Sequence, residues 1–78
     1  MQETISYNCG IYLNVKYTFN DGYGTISAIN SITMTRCPSN ISNVSWNYTR
    51  MDGGDSYLII VHFTRNGTRY SETARLWA

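Results

Sequence analysis

The most informative stretch of the chain runs from Tyr57 to Trp77 and reads YLIIVHFTRNGTRYSETARLW. Its two halves are rich in β-branched and aromatic residues, which pack well on a pleated sheet. Between them stands Asn66-Gly67, a dipeptide that strongly predicts a two-residue hairpin turn, because both positions tolerate the positive φ that the turn needs. The stretch therefore predicts two antiparallel strands, Tyr57–Arg65 and Thr68–Trp77.

A third predicted strand lies immediately before this hairpin. Val44–Met51 alternates between apolar and polar residues, which is the pattern of a half-buried strand. The Gly53-Gly54 pair that follows predicts a second tight turn. The run Leu58–Val61 is apolar on both faces, which suits a strand at the centre of a sheet. The C-terminal half is therefore predicted to be a three-stranded antiparallel meander.

The two turns also predict the register of this meander. A two-residue loop at Gly53-Gly54 pairs Trp46 with Val61, and one at Asn66-Gly67 pairs Phe63 with Tyr70. The side-chain alternation places the same residues on one face, and agreement between two independent levels strengthens the prediction. The predicted core of the meander consists of Val44, Trp46, Tyr48, Ile59, Val61, Phe63, Tyr70, Ala74 and Leu76.

Glu72 is the residue that does not fit this apolar face. The register places it opposite Val61, where burying an unpaired carboxylate is costly. Three interpretations follow: the side chain reaches the margin of the sheet, an arginine (Arg65, Arg69 or Arg75) pairs with it, or the register slips locally. We expect the first, in which the Glu72 side chain reaches the margin of the sheet.

The N-terminal half predicts a further hairpin. Cys9–Phe19 alternates with a period of two, and 20–24 contains the turn-forming Asp21-Gly22. Thr25–Arg36 is predicted to be the second strand, with a β-bulge near Ala28-Ile29 because Ile29 is out of phase. A helix over 27–36 is the disfavoured alternative, because its residues are mediocre helix formers. Residues 1–8 are expected to be loose or extended.

These elements predict one small all-β domain over residues 1–78. We expect a five-stranded antiparallel meander, arranged either as a small two-layer sandwich or as a curled half-barrel. A domain of 78 residues buries only about 60% of the surface that its unfolded chain exposes, so it often needs a disulfide, a metal or a partner chain for stability.

Composition narrows the classes of function. The net charge is +1, so there is no basic surface of the kind that binds nucleic acid. No apolar run reaches the length of a membrane helix. Charged residues make up only 14% of the chain, and a low-charge surface rich in Tyr, Asn and Thr favours an extracytoplasmic or secreted protein. The chain shows no signal peptide, so we expect it to be the mature form if the protein is secreted.

The two cysteines predict a disulfide. Cys9 opens the first predicted strand and Cys37 follows the second, so the hairpin brings them together. A Cys9–Cys37 bridge would stabilise the fold by roughly 3–4 kcal/mol on the chain-entropy model and would imply an oxidising compartment. A two-residue turn at Asp21-Gly22 would instead pair Cys9 with Met34, so the bridge needs a longer turn or a bulge. Two separate thiols are the alternative.

No catalytic, cofactor or metal motif is predicted. His62 lies in mid-strand with no orienting partner in the sequence, and His62 and Glu72 fall on opposite faces of the predicted sheet. Two Cys and one distant His lack zinc-ligand spacing. Asp52 and Asp55 flank a turn, where Asp is a common turn former.

The second face of the meander carries the best candidate interaction surface. Met51, Leu58, Ile60 and Trp77 lie on it near one end. Either the first hairpin folds over this surface to make a sandwich core, or the surface stays exposed and marks an interface. We expect a non-enzymatic secreted or cell-surface binding module for a protein or carbohydrate partner. The alternatives are a small hydrolase-like enzyme using His62 and a carboxylate, and a structural accessory protein of a phage or appendage; a homodimer is expected if one apolar side is bare.

Overall fold

The computed structural model describes all 78 residues, which form six strands in two sheets. The strands are β1 (Gln2–Ser6), β2 (Tyr12–Asn20), β3 (Thr25–Arg36), β4 (Ile41–Met51), β5 (Ser56–Arg65) and β6 (Thr68–Trp77), with a short 3-10 turn at Asp52–Gly54. The N-terminal sheet has the order β1-β2-β3 and the C-terminal sheet the order β4-β5-β6, and every pairing is antiparallel. The all-β antiparallel prediction is confirmed.

The predicted strand count is wrong, because residues 1–8 contain a strand. Gln2–Ser6 pairs with β2 along its whole length, with Ile5 opposite Leu13. β1 is an edge strand of which only Ile5 is buried, so its sequence is almost wholly polar and shows no alternation. The chain then turns at Tyr7–Gly10, which delays the start of β2 to Tyr12. The structure is thus six strands in two sheets, and neither a five-stranded meander nor a single curled sheet.

The register predicted for the C-terminal sheet is confirmed. Trp46 lies opposite Val61 and Phe63 opposite Tyr70, as the two turns require. Asn66 and Gly67 have φ values of 52° and 77°, the left-handed backbone of this type of two-residue hairpin turn. β4 begins three residues earlier than predicted, at Ile41, and a register shift between Ser42 and Ser45 accommodates one extra residue there.

The N-terminal hairpin is more irregular than its sequence indicates. Asn20 pairs with Thr25, so residues 21–24 form a four-residue turn. The β2–β3 register shifts at three places, and two of these shifts lie on either side of the bulge predicted near Ala28-Ile29. Each shift adds one residue to β3, which explains why its apolar residues fall out of phase.

The two sheets pack against each other through one core, to which both contribute. The buried hydrophobic residues are Ile5, Tyr7, Ile11, Leu13, Val15, Tyr17, Ile26, Ile41, Tyr57, Ile59, Val61, Phe63 and Leu76. Of the predicted core, Val44, Trp46 and Ala74 are only half-buried. Tyr48 and Tyr70 retain 48% and 41% of their exposure, because they lie on the edge strands of the C-terminal sheet.

Candidate interaction surface

The face of the C-terminal sheet that points away from the N-terminal sheet is uncovered, and we call it the outer face. The N-terminal sheet packs on the opposite face, which carries Tyr57, Ile59, Val61 and Phe63. The alternative in which the first hairpin folds over Met51, Leu58, Ile60 and Trp77 is therefore wrong. Those four residues form one end of the outer face, and we call them the apolar patch.

Strand pairing brings the residues of the apolar patch together. Ser56 in β5 pairs with Met51 on one side and with Trp77 on the other. Leu58 and Ile60 continue along the same central strand and are half-buried, as is Met51. Trp77 is 62% exposed, which is unusual for so large an apolar side chain. The patch is therefore an apolar floor with an exposed indole at its margin.

The charge on the outer face has one sign. Arg69 and Arg75 lie on it in β6, and no carboxylate does. The Arg75 guanidinium lies over the Trp77 ring, 5.0 Å from its centroid, so it covers one side of the indole. Arg69 donates hydrogen bonds across the sheet to the Asn43 carbonyl and the Ser45 hydroxyl. Arg75 therefore borders the apolar patch, whereas Arg69 lies opposite Thr64 towards the other end of the outer face.

His62 also lies on the outer face, but away from any acid. Its Nε2 is 3.2 Å from Oδ1 of Asn47 on the neighbouring strand. Glu72 lies on the opposite face of the sheet, as the register predicted. These two residues cannot act as an acid–base pair, because the sheet separates them.

Glu72 itself joins the two sheets. Its Oε1 accepts the backbone N–H of Asn8 at 3.0 Å, and its Oε2 accepts that of Cys9 at 2.9 Å. We call this pair of hydrogen bonds the Glu72 clasp. Satisfying both oxygens with N–H donors offsets much of the cost of placing a carboxylate on an apolar face. The margin position that we expected agrees with the structure, because β6 is an edge strand and Glu72 is half-buried on it. The arginine pair and the register slip are wrong, since the register of β6 is unbroken and the donors belong to the turn before β2.

Tyr7 makes a second polar link between the sheets. Its hydroxyl donates a hydrogen bond of 2.8 Å to the carbonyl oxygen of Ile59 at the centre of the C-terminal sheet. Burial, with smaller contributions from the negative charges of Glu72 and Cys9, raises the pKa of the Tyr7 phenol to about 12. The hydroxyl therefore stays protonated and keeps donating over the ordinary pH range.

The predicted disulfide is absent, since Cys9 and Cys37 are not bonded. The four-residue turn and the bulges of β3 change the pairing on which the prediction depended. The Cys37 thiol is instead directed at the carbonyl oxygens of Pro38 and Ile41, at 3.6 and 3.7 Å. Cys9 lies beside Glu72, and burial followed by that carboxylate raises the pKa of its thiol.

A cleft of about 290 Å³ opens between β1 and β6, which are edge strands of different sheets. It is lined by Glu3, Thr4 and Ile5 of β1 and by Arg75, Leu76 and Trp77 of β6. Its floor is apolar, because Ile5 and Leu76 belong to the core. Trp77 lies both at the rim of this cleft and at the margin of the apolar patch.

No family model, curated protein or solved structure matches this chain. Of the structure's elements, none is a helix with the length and hydrophobicity of a membrane span. The interpretation of the site therefore depends on its own residues.

Proposed function

We propose that this chain is a protein-binding module without chemistry of its own, and that the apolar patch is its contact surface. The observation that carries the proposal is the uncovered patch, where Trp77 is 62% exposed beside three half-buried aliphatic side chains. Protein interfaces are enriched in aromatic residues, Met and Arg. The apolar patch contains Trp77 and Met51, and Arg75 lies beside it. An extracytoplasmic location is part of this proposal. The low charged fraction of 14% supports it, whereas the unbonded Cys9 and Cys37 give it no support.

The charges on the outer face indicate the chemistry of the partner. Arg69 and Arg75 are not opposed by any carboxylate on that face. A partner surface with an apolar centre and flanking Asp or Glu residues would complement both features. A protein fits better than a carbohydrate, because the Arg75 guanidinium already covers one side of the Trp77 ring. A sugar would depend more heavily on an open aromatic platform.

A peptide selection tests this proposal while the partner is unidentified. The immobilised domain is used to select binders from a random peptide library, and the selected peptides are titrated against variants. We expect peptides that combine aromatic or aliphatic residues with carboxylates. Trp77→Ser should weaken their binding by about thirtyfold, the loss typical of an aromatic hot spot.

Thr49→Ser is the matched control, because Thr49 pairs with Leu58 on the same face but lies outside the apolar patch. It should leave the affinity within about twofold of the unmodified domain, as expected for a residue outside a hot spot. A selection that yields no binder contradicts the proposal. So does a set of peptides that bind Trp77→Ser as tightly as the original chain.

A further inference from the structure

The four free sheet edges differ in how well they can accept another strand. β1 is only five residues long. β3 is interrupted by three register shifts, and β4 by one, beside Asn43 with its φ of 52°. Short strands and bulges are the usual means by which a sheet avoids pairing at its edges. β6 has ten residues and an unbroken register, so it is the edge on which strand addition is least obstructed.

The unpaired backbone groups of β6 can be assigned from the pairing with β5. The Ala78 N–H donates to the Asp55 carbonyl at 2.9 Å, just beyond the last paired residues. Ala78 and Asp55 are thus a hydrogen-bonded pair. Hydrogen-bonded pairs recur at every second residue of an antiparallel ladder, so the even-numbered residues of β6 bond to β5. The N–H and C=O groups of Arg69, Ser71, Thr73, Arg75 and Trp77 therefore point away from the sheet.

We propose that β6 pairs antiparallel with β6 of a second copy of this chain, across a two-fold axis at Thr73. The outward groups of the two strands would then bond to each other and join two C-terminal sheets into one six-stranded sheet. This is strand addition between identical edges, a closed and self-complementary contact.

The charges of β6 select this register over its nearest rival. Two registers pair most of the strand, one centred on Glu72 and the other on Thr73. The first places Glu72 opposite its own copy and Arg69 opposite Arg75, and like charges directly opposite are destabilising. The second places Glu72 opposite Ala74 and Arg69 opposite Trp77, so it contains no like-charged pair.

The Thr73 register also brings a side chain to the cleft between β1 and β6. Tyr70 of the second copy lies opposite Leu76, one of the residues that form the cleft floor. Tyr70 is 41% exposed in the single chain and faces the same side of the sheet as Leu76. The second copy would therefore cover apolar surface that the single chain leaves open. Because of the two-fold axis, each copy would cover the same surface of the other.

Sedimentation equilibrium over a range of chain concentrations tests the pairing with a matched pair of variants. Thr73→Pro removes an N–H that the ladder with β5 does not use, so the chain still folds while the edge loses a donor at the axis. Thr73→Val keeps the N–H and the β-branched shape. We expect a reversible monomer–dimer equilibrium for the original chain and for Thr73→Val, and a dimer at least tenfold weaker for Thr73→Pro.

Cysteine cross-linking tests the register itself, in a Cys37→Ser background that removes the exposed native thiol. Thr73→Cys places two sulfurs across the axis, at a Cα separation of about 5.5 Å that a disulfide can span. Ser71→Cys is the control, since residue 71 lies opposite residue 75. We expect oxidation to give a covalent dimer with Thr73→Cys and little with Ser71→Cys.

Three results would overturn this inference: an original chain that stays monomeric up to millimolar concentration, a Thr73→Pro dimer as strong as the original, or equal cross-linking by both cysteines. A chain that stays monomeric would also contradict the inference if its β6 edge bound unrelated extended peptides. Thr73 lies outside the apolar patch, so failure of the strand pairing leaves the peptide-binding proposal standing.

Discussion

The Glu72 carboxylate accepts the backbone N–H of Cys9, with the oxygen and nitrogen 2.9 Å apart, and this hydrogen bond crosses from one sheet to the other. The bond to the Asn8 N–H completes the Glu72 clasp. Because a hydrogen bond to a charged group contributes more than a neutral one, the clasp should matter to a domain this small. It also aligns the turn before β2 with the middle of β6.

Removing the clasp should destabilise the domain. Glu72→Ala is expected to lower the free energy of unfolding by about 2 kcal/mol, since two N–H groups lose a charged acceptor. Urea unfolding followed by circular dichroism measures the change. Glu3→Ala is the control, because Glu3 is exposed, and its loss should change stability by less than about 0.5 kcal/mol. Equal effects of the two substitutions would show that the clasp does not stabilise the fold.

The Tyr7 phenol should make stability fall in alkaline solution. In the unfolded chain it ionises near its ordinary pKa of 10.0, whereas in the folded domain its pKa is raised to about 12. Between these two values the unfolded state has lost a proton that the folded state keeps, so the free energy of unfolding decreases as the pH rises. Below pH 10 this contribution is fully present.

Tyr7→Phe isolates that contribution. The variant should lose about 1 kcal/mol at neutral pH, the net worth of the hydrogen bond to Ile59. Its stability should then fall less steeply than that of the original chain between pH 10 and 12. Urea unfolding at closely spaced pH values compares the two slopes, and parallel slopes would contradict the assignment.

The two thiols should be free and unequal in reactivity. Unfolded protein that has not been reduced should react with two equivalents of Ellman's reagent. In the folded protein at mildly alkaline pH, Cys37 should react fast because it is exposed. Cys9 should react more slowly, because its raised pKa lowers its thiolate fraction. Finding no reactive thiol in the unfolded chain would contradict this prediction and would indicate that Cys9 and Cys37 form a disulfide.

The turn between β4 and β5 should tolerate a side chain at one glycine only. A Cβ at Gly54 would lie 2.9 Å from the Ile26 carbonyl oxygen of the other sheet, at a φ of 103°. Gly54→Ala should therefore cost about 2 kcal/mol in unfolding free energy. Gly53 has a φ of 67° and open space around it, so Gly53→Asn should cost about 1 kcal/mol or less. Equal losses in urea unfolding would contradict the close approach at Gly54.

The sequence predicted the C-terminal sheet well because its information there is local. The turn at Asn66-Gly67 requires positive φ, and it determines which residues of β5 and β6 face each other. The same reasoning identified Glu72 as lying on the inner face. It could not identify the partners of that carboxylate, because they are backbone groups of a turn more than sixty residues away along the chain.

The N-terminal sheet was harder to predict because its strands depart from regular alternation. β1 is polar apart from Ile5, so nothing in its composition distinguishes it from a loose terminus. The bulges of β3 shift the register, and each shift changes which residues lie opposite Cys9 and Cys37. The sequence predicted each residue of the apolar patch. It did not predict that the patch is exposed, because the alternation within one sheet does not determine which of its faces the other sheet covers.

The solvent exposure of Trp77 is the sharpest test of the proposed function, because binding through the apolar patch requires that the patch be uncovered. Trp46→Phe leaves Trp77 as the only tryptophan, and iodide quenching of its fluorescence is measured at a concentration where the chain sediments as a monomer. We predict an emission maximum typical of an indole in water and efficient quenching, aided by the positive charge of Arg75. A blue-shifted emission protected from iodide would show that the outer face is covered, and would contradict the proposed binding surface.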